Sequence, residues 1–259
     1  RIIQEYFVGD GRFKGAIYKP FEYEQPPKKT DKLSEEENRA IMQQRNLHDF
    51  MRRLLVKRFE SSFGAFEKSI QRFLKTNRMV LSFIQKSDKY VLDRKVIESI
   101  YNDDENADDF TLEAIEKALE EFECNAVNKT QPKHTKIYTI SNFHFKDKFI
   151  ADIKNDIKLF EDIEAEIKEL NLIDDDPKRK AVLNSIKETL SKESNPKRKV
   201  ILFTEYTDTV RHLKKYFDKE LLGRVLFCEG DLPKKLALAL EANFNAISEV
   251  PADDYDVLV

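Results

Sequence analysis

Lys199-Val200-Ile201-Leu202-Phe203-Thr204-Glu205-Tyr206-Thr207-Asp208-Thr209 sets an apolar run of four residues directly before a polar turn. Val200 to Phe203 is apolar on both faces of an extended chain, which predicts a buried strand. Thr204 to Thr209 supply polar groups at its carboxyl end, and Val210, Leu213, Phe217 and Leu221 then recur at helical spacing. Upstream, Asp176 and Pro177 fit the N-cap and first position of a helix that turns Val182, Ile186 and Leu190 inward and closes at Asn195-Pro196. Downstream, Arg224 to Cys228 and Tyr255 to Val259 predict two more strands. Strand and helix alternate here, so a parallel sheet is expected, with Phe217 and Phe244 packed on strand 200–203. In open α/β sheets, ligands meet the protein where strands end and helices begin.

Most of the remaining sequence has a helical period. Glu35-Glu36-Glu37 puts negative charge at a helix amino end, where the helix dipole favours it. Ile41, Leu47, Phe50, Met51, Leu54 and Leu55 form one apolar face. Phe63, Phe66, Ile70, Phe73, Leu74, Leu81 and Ile84 form another, so two long helices are expected to meet near Ser61-Ser62-Phe63-Gly64. Val96, Ile97 and Ile100 predict a shorter helix, Asp103 to Asp109 an acidic loop, and Leu112, Ile115, Leu119 and Phe122 a further helix. Ile137 to Ile140 reads as extended. Phe149, Ile153, Ile157, Phe160, Ile163, Ile167 and Leu170 then line one side of a long helix. Before all of this, Arg1 to Glu24 predicts a strand, a turn at Gly9-Asp10-Gly11 and a second strand over 15–23, with 25–33 as a connector. The fold class expected is mainly α with an α/β end.

Composition narrows the function classes. Charged residues make up 36% of the 259, while six Gly and eight Pro are few, a balance that favours long helices. A net charge of −3 gives no global attraction to nucleic acid, so any such binding must rest on local patches. Cys124 and Cys228 lie far apart without a Cys-x-x-Cys, and the four histidines have no zinc spacing, so neither a disulfide framework nor a metal site is expected. Cys228-Glu229-Gly230 lacks the arginine that a cysteine-phosphatase loop needs. No carboxylate pair is set apart for general acid–base work, and no Gly-x-Gly-x-x-Gly follows a strand. No apolar run approaches the roughly 20 residues of a membrane span, and a cytoplasmic protein is expected.

The segment 199–209 resembles the opening of the second RecA-like lobe of superfamily-two helicases, specifically the Swi/Snf-type DNA translocases. An aspartate-proline-lysine helix precedes it as in that family, and Gly230-Asp231-Leu232-Pro233-Lys234-Lys235 is similar to the turn and helix start after the lobe's next strand. Phe244 falls where the family's helix carries a phenylalanine. Met51 to Ser62, with Ala65-Phe66, resembles the Arg-Leu-Leu-x-Lys-Arg-x-Glu-Ser-Ser signature of the bacterial branch. The acidic middle, Asp103 to Lys133, resembles nothing in the family. The resemblance implies a fragment of an ATP-dependent helicase or translocase: 1–34 as the β-rich tail of the first lobe and a connector, 35–173 as a helical insertion domain, and 174–259 as the start of a second RecA-like (P-loop NTPase type) lobe. It implies ATP and magnesium in the parent chain and double-stranded DNA as its partner. The sequence holds neither a Gly-x-x-x-x-Gly-Lys-Ser/Thr phosphate loop nor an Asp-Glu-x-His box, so no cofactor and no catalytic residue is assigned within it.

The candidate nucleic-acid-binding residues are Thr204, Tyr206, Gly230, Lys234, Arg52, Arg53, Lys57 and Arg58. Hydroxyls at Thr204, Thr207 and Thr209 suit phosphate contacts, which position without reading sequence; equally, Thr207 suits a helix cap. Gly230 permits a left-handed turn or close backbone approach. Lys234 and Lys235 open a helix, where cations are disfavoured unless an anion is bound. Between Asn38 and Lys86 eleven Lys and Arg face three acids, whereas Ser87 to Cys124 has four against thirteen. Either the basic helices line DNA phosphates while the acidic segment shields them, or the two segments pack together and neutralise each other. The alternative to a translocase is a non-enzymatic helical interaction module that recruits a protein partner through its acidic segment.

Overall fold

The computed structural model describes residues 6–7, 11–25, 34–93, 135–193, 197–230 and 232–259. The helix expected at 96–100, the acidic loop, the helix through Leu112 and Phe122, the Gly9-Asp10 turn, most of the connector, and Asn195-Pro196 lie outside them. Described in chain order are α1 (Phe21–Glu24), α2 (Glu35–Ser61), α3 (Phe63–Ser87), β1 (Lys89–Asp93), β2 (Thr135–Thr139) and α4 (Lys146–Glu169). α5 (Pro177–Ser191), β3 (Val200–Ile201), α6 (Thr207–Glu220), β4 (Val225–Leu226), α7 (Lys234–Phe244) and β5 (Val257–Leu258) follow. The protein is mainly helical with a small three-stranded parallel sheet. It divides into two compact units, Arg1–Lys57 with Ser69–Glu166, and Arg58–Lys68 with Ile167–Val259. The described residues before α2 therefore group with the helical unit, and the turn between α2 and α3 groups with the sheet.

In the first unit, α2 opens on a reciprocal capping box. The Glu37 amide donates to Ser34 Oγ (3.1 Å) and the Ser34 amide to Glu37 Oε2 (2.9 Å). Leu47, Met51 and Leu55 are buried as their spacing predicts, but Phe50 is 43% exposed and does not belong to the inward face. Ile70, Phe73, Leu74 and Ile84 of α3 and Phe149, Ile153, Phe160 and Ile163 of α4 are buried. Phenylalanines build much of this unit's core: Phe13, Phe73 and Phe160 meet with ring centroids 5.2–6.3 Å apart in edge-on and tilted pairs.

The expected amino-terminal strands are absent among the described residues. Residues 16–18 form a 3-10 turn and α1 follows. A row of acids on α4 engages this segment, and one of them takes up three of the backbone amides a strand would need. Tyr23 donates to Asp152 (2.8 Å), the amides of Lys14, Gly15 and Ala16 to Asp156 (2.7, 2.8 and 3.4 Å), Arg12 to Asp162 (2.8 Å) and Tyr6 to Glu166 (3.1 Å). Gly15 adopts φ +56°, and a Cβ there would lie 2.4 Å from His48 Cδ2, so glycine meets both a left-handed turn and a close approach. β1, which periodicity did not predict, pairs antiparallel with β2 from Lys89↔Thr139 to Asp93↔Thr135.

In the second unit the strands are parallel, in the order β3-β5-β4. Ile186, Val210, Leu213, Phe217, Val225, Val257 and Val259 form its core. Phe217 packs there as expected; Phe244 is only half-buried, with the Lys199 ammonium 5.3 Å from its ring centre. The reading of 200–203 as a strand buried on both faces is corrected. β3 is an edge strand of two residues, Ile201 is 48% exposed and Phe203 87%. The central position belongs to β5, which is held from both ends of its lead-in. Asn243 Oδ1 accepts the amides of Asp254 (2.8 Å) and Tyr255 (3.1 Å), and Arg224 grips Asp256 through two bonds (2.5 and 2.9 Å). The Arg224 guanidinium pulls the Asp256 carboxyl down to about 2, against a smaller opposing effect of burial.

Candidate functional site

α2 and α3 are separated by Ser62 alone, whose Oγ accepts the Ala65 amide (3.0 Å) and so caps α3. At the end of α2 the carbonyls of Phe59 and Glu60 accept from Lys178 Nζ (2.9 and 2.7 Å), a cation where the helix leaves carbonyls without intrahelical partners. Burial pushes the Lys178 ammonium down from its ordinary range, although Asp176 and Glu60 oppose this. Asp176 caps α5 as predicted: its Oδ1 accepts the amides of Lys178 (2.8 Å) and Arg179 (3.2 Å). Its other oxygen lies 3.3 Å from His212 Nε2. Burial raises the Asp176 carboxyl, but the His212 bond and the two amides outweigh it and hold the group below the usual range. The His212 ring lies flat against Gly64, where a Cβ would sit 2.4 Å from Nδ1.

The start of α6 meets the same turn. Tyr206 is the N-cap and makes no side-chain capping bond; Thr207 is the first helical residue, so it is not the cap. Asp208 does not cap its own helix either. Its Oδ2 accepts from Arg58 Nη1 (2.9 Å) and its Oδ1 from Lys68 Nζ (3.0 Å), with the Arg58 side chain 2% exposed and that of Asp208 fully buried. The Arg58 guanidinium also lies 4.1 Å from the centre of the Tyr206 ring. Thr209 Oγ1 completes the junction at 2.8 Å from Ser61 Oγ and 3.2 Å from Ser62 Oγ. A buried ion pair is costly to desolvate, and the second cation and the aromatic face offset that cost.

Arg58 and Tyr206 are thus the candidate residues brought together, about 150 positions apart in sequence, and both face inward. Thr204 is half-buried at the end of β3, its Oγ1 accepting the Tyr206 amide (3.4 Å). Gly230 follows β4 with φ +54° and open space where a Cβ would be, and Lys234 is the exposed first residue of α7. Because β3 and β4 run parallel to β5, the turns bearing Thr204 and Gly230 lie on the same edge of the sheet. An Arg211–Glu229 ion pair (2.9 Å) ties α6 to the second of those turns. In the helical unit, Arg53 is exposed and donates to the Asp49 carbonyl (3.2 Å). Arg52 lies 3.8 Å from the Asp49 carboxylate, and Lys57 is exposed. The acidic residues proposed to neutralise them, Asp103 to Glu123, lie outside the described residues. Sequence reasoning missed Lys68, Asp208 and His212, since no local period links any of them to a partner so distant in the chain.

Among the described residues no group of three or more His, Cys, Asp or Glu is placed to hold a metal ion. No helix among them is long and apolar enough to cross a membrane. No family model, curated protein or solved structure matches this chain.

Proposed function

We propose that this chain is the central part of a Swi/Snf-type ATP-dependent DNA translocase, with 174–259 opening its second RecA-like lobe. One observation carries the reading. The two segments of family-like sequence, around Arg58 to Ala65 and Tyr206 to Thr209, interlock through Arg58–Asp208 and the Ser61, Ser62 and Thr209 hydroxyls. The parallel strands joined by α6 and α7 agree with an α/β lobe. On this reading Thr204, Gly230 and Lys234 meet the phosphate backbone at the sheet's carboxyl edge. Arg52, Arg53 and Lys57 supply a second basic surface on α2. Arg58, which points into the protein, leaves the set of direct contacts. ATP and magnesium are bound by parts of the parent beyond these motifs.

The test is duplex affinity against salt concentration, measured by fluorescence anisotropy. Binding should weaken steeply with salt, and Arg53→Ala with Lys57→Ala should flatten the log–log slope by about one unit per lost phosphate contact. Unchanged slope with a lower melting temperature would mean that these residues pair within the protein. No duplex binding even at low salt favours the interaction module, for which exposed Ile201 on edge strand β3 and exposed Phe203 just after it are the supporting observation.

A further inference from the structure

We infer that Arg58 is a positioning residue: it sets the conformation of the 204–209 turn from beneath and contacts no phosphate itself. The functional half of this statement rests on the DNA reading above; the structural half does not. The N-terminal end of a helix is ordinarily fixed by its own cap, and here Tyr206 supplies no side-chain bond. The fixing groups come from the end of α2 and the start of α3. Arg58 holds Asp208 through its guanidinium nitrogen at 2.9 Å and covers the Tyr206 ring at 4.1 Å, so one side chain restrains both the cap and the second residue of α6. Lys68 takes the remaining Asp208 oxygen and Ser61 takes Thr209. Thr204 stands two residues before the clamped ring and bonds its amide. Any shift of Tyr206 therefore moves the hydroxyl offered at the sheet edge. A guanidinium does this where an ammonium does not, because its plane can lie on a ring while its edge donates to a carboxylate.

The variant to make is Arg58→Lys in the whole chain, which keeps the charge opposite Asp208 and removes the planar group. Two readouts separate the hypotheses. The amides of Thr209 and Val210 donate to the Tyr206 carbonyl at 3.0 and 3.4 Å, and their hydrogen exchange should quicken about tenfold while the sheet core keeps its protection. Affinity for a DNA duplex should fall by roughly three- to tenfold with the salt slope unchanged, since no counterion-releasing contact is lost. In Arg58→Gln, which removes the charge that Arg58→Lys keeps, a slope smaller by about one unit would make Arg58 a phosphate contact and overturn the inference. Unaltered exchange at Thr209 and Val210 in folded Arg58→Lys would overturn it as well. If the unaltered chain binds no duplex, the DNA reading fails and exchange alone decides on the clamp. Should Arg58→Lys not fold, Lys68→Ala carries the test. This half-exposed lysine shares Asp208, and its loss must also quicken exchange at Thr209, or the clamp is rejected.

Discussion

Asp156 accepts three backbone amides in the interior of the helical unit, with no cation among its hydrogen-bond partners. Burial favours its neutral form; the amides favour the charged form. Burial is the larger effect, helped by the neighbouring Asp152, and the carboxyl is pushed up to about 7. A carboxyl raised in the folded state contributes stability that is complete below its unfolded value near 4 and is lost as the pH rises through about 7. The melting temperature should therefore fall between about pH 4 and about pH 7, and Asp156→Asn should flatten that fall. A melting curve series showing the same pH slope in both proteins would count against this. At neutral pH the variant should also be less stable by about 1–3 kcal/mol, because an amide NH2 would face one of the donors that the carboxylate now accepts. Tyr23 belongs to the same row of contacts: burial and its bond to Asp152 push its hydroxyl well above the usual phenol range.

The junction of α3 with α6 turns on a helical glycine. Gly64 lies in the first turn of α3, and helix propensity alone would favour alanine there by about 1 kcal/mol. The His212 ring forbids it, since a new Cβ would stand 2.4–2.9 Å from three of its atoms. Gly64→Ala should therefore destabilise the protein by about 1–3 kcal/mol, as overpacking does. In a His212→Ala background the cost should shrink, since only the contact with the retained Cβ of residue 212, at 2.9 Å, remains. The two sites are in contact, so a double-mutant cycle by chemical denaturation measures the coupling directly. Additive effects would show that the glycine is there for another reason. The two-helix meeting point near Ser61-Gly64 was legible from apolar spacing. Its capping by Ser62 also had a local cause. The insertion of His212 against it had none, since 148 residues separate the two positions.

At the scale of the whole molecule, nucleotide binding is, on the proposed translocase reading, the property on which the parent and this chain should differ. The sequence contains no phosphate loop and no Asp-Glu-x-His box, and calorimetric titration with Mg-ATP should accordingly give no micromolar affinity. Heat consistent with such an affinity would require a nucleotide site built from other residues and would undo the translocase assignment as stated.

By itself the sequence determined what short-range physics governs. The 3.6-residue period located α2, α3, α4 and α6, the Asp176-Pro177 pair located the start of α5, and strand–helix alternation predicted a parallel sheet. These depend on groups within a turn or two of one another. The amino-terminal segment looked like strands because its residues are β-branched and aromatic. The tertiary structure decided otherwise, when Asp152, Asp156, Asp162 and Glu166 of α4 engaged its backbone and side chains. Phe203 looked like core because apolarity does not reveal which strand will be at the sheet's edge. Arg58 looked like a DNA contact because it stands in the basic stretch of the segment that resembles the translocase family. Only folding brings it to Asp208 and Tyr206, where a carboxylate and an aromatic face compensate the cost of burying its charge.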